Sequence, residues 1–292
     1  MKVLLVKGLA RLCSLVHPRW APALASPLAA LLWLFARRLR TVSLCNLELC
    51  FPELSAGARR RIARAAMVHY VRNVFETGMS WYWSLPRLQA LFLPAVGEEH
   101  LRAAKATGRG VILLSPHIGS WELISITRAA DFDGPVLYKP GDDPAINAAM
   151  LEKRQRIYVP LVPANRQGLK VVLESLKAGK TIGALPDQEP REGEGVFAPF
   201  FGVAALTGVM VPRLAARVDA PVVFCVCLRM PRGRYQIRFL PLGDAIRSLD
   251  LQEAAAELNR GVEQCIALDP AQYLWAYKRF RARPPGEPPV YR

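Results

Sequence analysis

The chain has 292 residues, 52% of them hydrophobic, enough to bury a sizeable core without disulfide or metal staples. No Gly/Ser linker or internal repeat divides it, which favours one large α/β domain over two small ones. Its 39 Lys and Arg against 24 Asp and Glu leave a formal charge of +15, pointing to a polyanionic partner: nucleic acid, an anionic membrane surface or a phosphorylated substrate.

From Trp20 to Ala36 there are 17 residues without a charge, followed at once by Arg37, Arg38 and Arg40. A spanning helix needs about 20 apolar residues, and Pro22 and Pro27 interrupt this stretch, so a membrane span, an embedded interfacial helix, a short hairpin and a merely buried helix all stay open. Basic residues on both flanks (Lys2, Lys7, Arg11 and Arg19 before it) give no clean orientation. The apolar run begins too late for a cleaved signal peptide and leads straight into arginines. Residues 1–40 are therefore read as an N-terminal membrane anchor or interfacial helices, and 41–292 as the main domain.

Ser55 followed by Ala56 to Trp83 predicts a long helix whose first turns carry Arg59, Arg60, Arg61 and Arg64. Acidic residues suit that end of a helix dipole better, so these arginines answer either to solvent or to an external anion such as lipid headgroups. Trp81, Tyr82 and Trp83 suit a membrane interface or core packing equally.

Next, Val111 to Leu114, bounded by Gly108-Arg109-Gly110, reads as a buried parallel strand, with a helix expected from Ile118 to Ala130. His117 then sits at the strand's carboxyl end, the edge where open α/β sheets bind ligands, with a helix amino terminus beside it favouring a neutral, proton-accepting imidazole. Glu122, about one turn on, would hold the ring's tautomer. The spacing alone fits a structural histidine equally well, although His17, His69 and His100 have no acid five residues on.

Further along, Pro135 to Tyr138 predicts a second strand, Ala145 to Arg156 a helix, Gly168 to Ala178 another helix stopped by Gly179, and Thr181 to Leu185 a third strand. Asp187 and Gln188 then stand at another strand's carboxyl end; if the strands are parallel neighbours, Asp187 and His117 open onto one edge, a turn-capping Asp being the alternative. Gly193 to Gly202 reads as a mobile loop whose apolar residues either cover an acyl chain or simply pack. Pro221 to Leu228 predicts a buried strand with Cys225 and Cys227 on one face. The six cysteines show no CxxC pair and no histidines at metal spacing, and are expected as reduced core thiols with no metal site.

Phe51-Pro52-Glu53 preceded by Asn46-Leu47, the His117 to Glu122 segment, Tyr138-Lys139-Pro140, Asp187-Gln188, Phe197 to Gly202 with Thr207, Arg213-Leu214-Ala215, and Gln272-Tyr273-Leu274-Trp275 continuing to Arg279-Phe280-Arg281-Ala282-Arg283-Pro284 occur in that order. Together they resemble the bacterial lipid A biosynthesis acyltransferases, the late acyltransferases of the glycerolipid acyltransferase-like group, over nearly the whole chain.

The resemblance implies a mixed, largely parallel central sheet flanked by helices, with an N-terminal membrane-associated helical segment. It implies an enzyme without cofactors, at the cytoplasmic face of the bacterial inner membrane, moving a fatty acyl group from acyl carrier protein to a hydroxyl of a phosphorylated lipid A precursor in lipopolysaccharide biosynthesis. His117 is then the general base and Glu122 its orienting partner; Arg154, Asp187, Gln188 and Lys139 fall to substrate binding, with Arg154 a candidate oxyanion cation or phosphate clamp.

Two departures bear on acceptor recognition. Lys139 stands where the family usually has arginine, and Tyr277 where it usually has histidine. An acyltransferase of the same build acting on a lysophospholipid or another glycolipid is the nearer alternative. A basic nucleic-acid module is remote, because the aromatics lie in apolar runs, and no nucleic-acid partner is expected.

Overall fold

The computed structural model describes residues 2–126, 133–141, 143–154 and 160–291. Helices α1 (Lys2–Cys13), α2 (Ala21–Phe35), α3 (Arg37–Cys50) and α4 (Ala56–Tyr82) come first, then the short α5 (Leu85–Gln89) and α6 (Glu98–Ala106). The central sheet follows as β1 (Val111–Leu114), β2 (Val136–Tyr138), helix α7 (Pro144–Arg154), β3 (Leu161–Pro163), helix α8 (Arg166–Lys177) and β4 (Thr181–Ala184). A hairpin, β5 (Gly195–Phe200) and β6 (Val203–Gly208), precedes helix α9 (Met210–Val218), strands β7 (Val222–Met230) and β8 (Arg234–Pro241), and helix α10 (Leu251–Leu268).

Six strands form one sheet in the order β3-β2-β4-β1-β7-β8, parallel except for β8, which turns back on β7 at Arg232 and Gly233. The fold class expected from the sequence is the one observed, and β1 and β4 are the parallel neighbours on which the placement of His117 and Asp187 depends.

Burial on both faces explains the continuous apolar runs. Ile112 and Leu114 of β1, with Phe224 and Val226 of β7, enter the core against α8 and α10; Val111 and Leu113, with Cys225 and Cys227, enter the core against α6 and β8. The two cysteines share a face as the strand period requires. All six cysteines are free thiols; five are buried and Cys45 is half-buried.

Helix α4 begins where the sequence places it, with the Ser55 hydroxyl accepting from the Ala58 amide. The aromatic triplet at its end resolves toward packing: Trp81 and Trp83 are buried, and the Trp83 indole N–H donates to Ser14 O. Of the early arginines, Arg59 bonds the carbonyls of Phe51, Pro52 and Leu54, whereas Arg64 lies over the Trp33 ring.

Two expectations fail. No helix starts at Ile118, because residues 117 to 120 are stitched to other elements: the Ser120 amide donates to Cys227 O at 2.8 Å and the Gly119 amide to Gln272 O at 3.1 Å. Only a 3-10 turn, Trp121–Ile126, follows, and residues 127–130 of the expected helix lie outside the described residues, as do 155 and 156 of the next. The helix-dipole argument for His117 therefore lapses. The expected loop from Gly193 to Gly202 is mostly strand β5, closed by a two-residue turn at Phe201 and Gly202 with φ of 49° and 76°. Phe200 is buried there and meets Phe201 and Phe280, so these rings pack rather than form a lid.

A buried charge cluster ties α4 to the sheet. The Arg229 guanidinium on β7 reaches both Glu76 carboxylate oxygens, at 2.7 and 2.6 Å, and also bonds Asn73, while the Tyr235 hydroxyl donates to Glu76 at 3.0 Å. Removing either partner of the ion pair would strand a buried charge, at a cost of about 3–5 kcal/mol. His69 lies beside this cluster, its Nδ1 3.4 Å from Arg229. Burial, then the Arg229 and Arg72 charges, hold its pKa down to about 3 from 6.5. Between those values the unfolded chain binds a proton that the folded one refuses. The neutral ring's contribution is therefore complete above pH 6.5 and shrinks as pH falls toward 3. The melting temperature is expected to drop between pH 7 and pH 5 in the parent and to drop less in His69→Gln; equal slopes would remove His69 as the cause.

Candidate functional site

The parallel register builds the site. The Ser115 amide donates to Ala184 O, extending the β1/β4 pairing by one residue, so the segments leaving the two strands emerge side by side. His117 and Asp187 meet there. The His117 backbone N–H donates to Asp187 Oδ2 at 3.0 Å, and ring Nδ1 lies 2.8 Å from Oδ1. Because a carboxylate only accepts, Nδ1 carries the proton and Nε2 keeps the basic lone pair.

Asp187 is buried. Burial by itself raises its pKa, but the His117 charge and the two bonds from His117 outweigh that and hold the carboxyl below its ordinary value. The dyad therefore keeps an ionised orienting acid at neutral pH. Gln188 Nε2 lies 3.3 Å from His117 Nε2 and can donate to it until a better donor takes its place.

The contact with the imidazole expected for Glu122 is thus made by Asp187. Both Glu122 oxygens face Arg154, the last residue of α7, whose Nε donates at 3.2 Å and whose Nη2 makes the second bond. The sequence argument placed Glu122 against His117 by assuming a helix there, and without that helix the carboxylate turns to α7. Lys139 is exposed just past β2, on the same carboxyl edge as His117, Asp187 and Gln188, whereas Glu122 and Arg154 pair with each other.

Three contacts had no signal in the sequence. The Trp121 ring stands edge-on to His117 at 5.1 Å. Leu274 donates its amide to His117 O at 3.0 Å, and Ile118 pairs with Tyr273. An apolar groove of about 270 Å³ runs from these residues between α1 and α4, bounded by Val6, Leu9, Val74, Trp81, Trp121 and Leu274. Tyr277 also finds a place, its hydroxyl accepting the Glu189 amide at 2.9 Å and so fastening the residue after Gln188.

A basic histidine oriented by a buried carboxylate, with an apolar groove at its flank, suits deprotonation of a hydroxyl beside a fatty chain. The profile of the bacterial lipid A biosynthesis acyltransferases matches residues 2–282. The chain belongs to that family. It is 33% identical over 261 residues to the lipid A biosynthesis lauroyltransferase of Escherichia coli K12, covering 88% of this chain and 84% of the relative. It is 28% identical to the palmitoleoyltransferase of the same strain, over 88% of this chain and 83% of that one. With the myristoyltransferase it shares 26% identity over 93% and 85%. As a lipid A acyltransferase family member, the chain is an O-acyltransferase by kinship, and its relatives differ in the acyl group their names carry.

Gly119 is the residue this geometry tolerates least change at. Its φ is +61°, and a Cβ would lie 2.1 Å from Cys227 O. Gly119→Ala is expected to cost about 2–4 kcal/mol, read as a lower denaturant midpoint; an unchanged midpoint would show that the 117–120 segment is not clamped as described.

Proposed function

We propose that this acyltransferase moves a fatty acyl group from acyl carrier protein to a hydroxyl of a phosphorylated lipid A precursor, at the cytoplasmic face of the bacterial inner membrane, with His117 as general base. The observation that carries the reading is the His117 and Asp187 pair, with Trp121 and Leu274, which both touch His117, lining the apolar groove beside it. Residues 41–292 act as the catalytic part and 1–40 as the membrane-associated part.

In this reading the acceptor hydroxyl displaces the Gln188 amide from Nε2 and donates its proton there as its oxygen attacks the thioester carbonyl. The C–O bond forms and a tetrahedral oxyanion results; its collapse breaks the C–S bond, and His117 returns the proton to the departing thiolate. Asp187 fixes the tautomer and balances the imidazolium. The acyl chain lies in the groove between α1 and α4, alongside Trp121. Arg154, positioned by Glu122, and Lys139 face the charged parts of the substrates, and the net charge of +15 favours both an acidic carrier protein and a phosphorylated acceptor.

The direct test is transfer of radiolabelled acyl groups from acyl carrier protein to a lipid A precursor by the detergent-purified enzyme. His117→Ala is expected to lower kcat by at least about 10³-fold, and Asp187→Asn, which no longer fixes the tautomer by charge, by a comparable factor. Glu122→Gln frees Arg154 and is expected to raise KM for the charged substrates as well as lower kcat. Full activity in His117→Ala would overturn the base assignment, and transfer only to lysophospholipid would overturn the acceptor.

A further inference from the structure

The tail residues Gln272, Tyr273 and Leu274 run antiparallel to residues 117 to 119. The Gly119 amide donates to Gln272 O at 3.1 Å and the Leu274 amide to His117 O at 3.0 Å, so Ile118 and Tyr273 face each other between these two bonds. In such a non-hydrogen-bonded pair the facing side chains stand closest and leave the ladder on the same side. Tyr273 is thereby delivered into the interior, 5% exposed, behind the segment that carries His117. Its ring stands edge-on to Trp275 at 4.9 Å, and the Trp275 indole N–H is itself bonded to Pro270 O at 2.7 Å. From this fixed ring the Tyr273 hydroxyl donates to the Asp187 carboxylate.

That contact meets a need of the dyad. Among the described residues His117 is the one basic side chain within ion-pair distance of Asp187, which is only 3% exposed. Until a proton has moved the imidazole is neutral, so the charge of a buried carboxylate rests on the hydrogen bonds it accepts. Two of these come from His117 itself, and the Tyr273 O–H adds a donor from outside the dyad. Each donor to the ionised form lowers a carboxyl's pKa and fixes the direction of its lone pairs.

The neighbouring groups leave this task to the phenol. Cys265 of α10 and Cys50 of α3 also face Asp187 and Tyr273, and burial keeps both as neutral thiols. Arg279 is a buried cation on the same tail, with its guanidinium bonded to Leu206 O, Thr207 and Asn259. Its charge favours a phenolate, but burial and the Asp187 charge outweigh it and hold the Tyr273 pKa well above the ordinary value. The phenol therefore keeps its proton and acts as a donor, not as an acid.

We propose that Tyr273 is a positioning residue for acyl transfer, its hydroxyl tying down the Asp187 carboxylate that in turn orients the His117 ring, so that the carboxyl-terminal tail takes part in the proton transfer. The role in transfer rests on the acyltransferase reading; the coupling of Tyr273 to His117 through Asp187 does not.

Tyr273→Phe removes one oxygen and leaves the ring against Trp275 and the main chain against Ile118. In the radiolabel assay it is expected to lower kcat about tenfold with KM unchanged. A carboxylate relieved of one donor is more basic and presents more charge to the imidazole, so the pair releases its proton at higher pH. The acid limb of kcat/KM, and the His117 ring titration followed by NMR with labelled histidine and assigned by its loss in His117→Ala, are both expected to move up by about half a pH unit or more. Asp187→Asn/Tyr273→Phe is expected to be no less active than Asp187→Asn alone, because the hydroxyl acts through the carboxylate. A ring titration that stays in place in Tyr273→Phe, or a loss in the double variant equal to the product of the two single losses, would overturn the proposal. A titration that moves in a protein transferring no acyl group to any acceptor would instead overturn the acyltransferase reading and leave the coupling intact.

Discussion

The Asp187 carboxylate holds His117 at two points, one oxygen on the backbone N–H and the other on the ring, and the geometry of the candidate site depends on that double grip. A single bond to the ring would leave the imidazole free to swing about χ1; a second bond to the same residue's main chain fixes the segment that carries it. The grip is possible only because β1 and β4 are parallel neighbours in a register that brings Ser115 beside Ala184. With the carboxylate buried and still ionised, a negative charge stands ready inside the protein against the His117 ring.

The remaining supports of His117 come from elements distant in sequence. Gly119 rests on β7, Leu274 and Gln272 press from the carboxyl-terminal tail, and Trp121 covers the ring's edge. The tail is itself anchored: the Gln272 side chain bonds the Arg229 backbone, Asn46 of α3 donates to the carbonyls of Trp275 and Tyr277, and Arg279 bonds Leu206 O and Thr207. Motifs that look like separate signatures along the chain are thus parts of one scaffold around one histidine. Arg229 links that scaffold to α4 through Glu76, and α4 in turn packs against α1 and α2.

Most of the sheet was legible because its strands are apolar runs punctuated by glycine and proline, and α4 because Ser55 caps a long uninterrupted stretch. Strand β5 was not, since Phe201-Gly202 lacks the Asn-Gly or Asp-Gly sequence that announces a two-residue turn, and Phe201 reaches its positive φ only with the Phe51 and Phe200 rings packed around it. The helix expected after His117 failed because its amides are spent on β7 and the tail, partners 107 and 153 residues away by sequence number, respectively Cys227 for Ser120 at 2.8 Å and Gln272 for Gly119 at 3.1 Å.

By itself the sequence determined the residue types at the sheet edge and the family they belong to, because these follow from local composition and ordered motifs. Only the tertiary structure decided which acid serves which base. His117 and Glu122 are close in the chain, yet Asp187 takes the imidazole and Arg154 takes Glu122. Pairing of charges is a through-space matter, set by strand register and by where α7 ends, and no spacing along the chain encodes it.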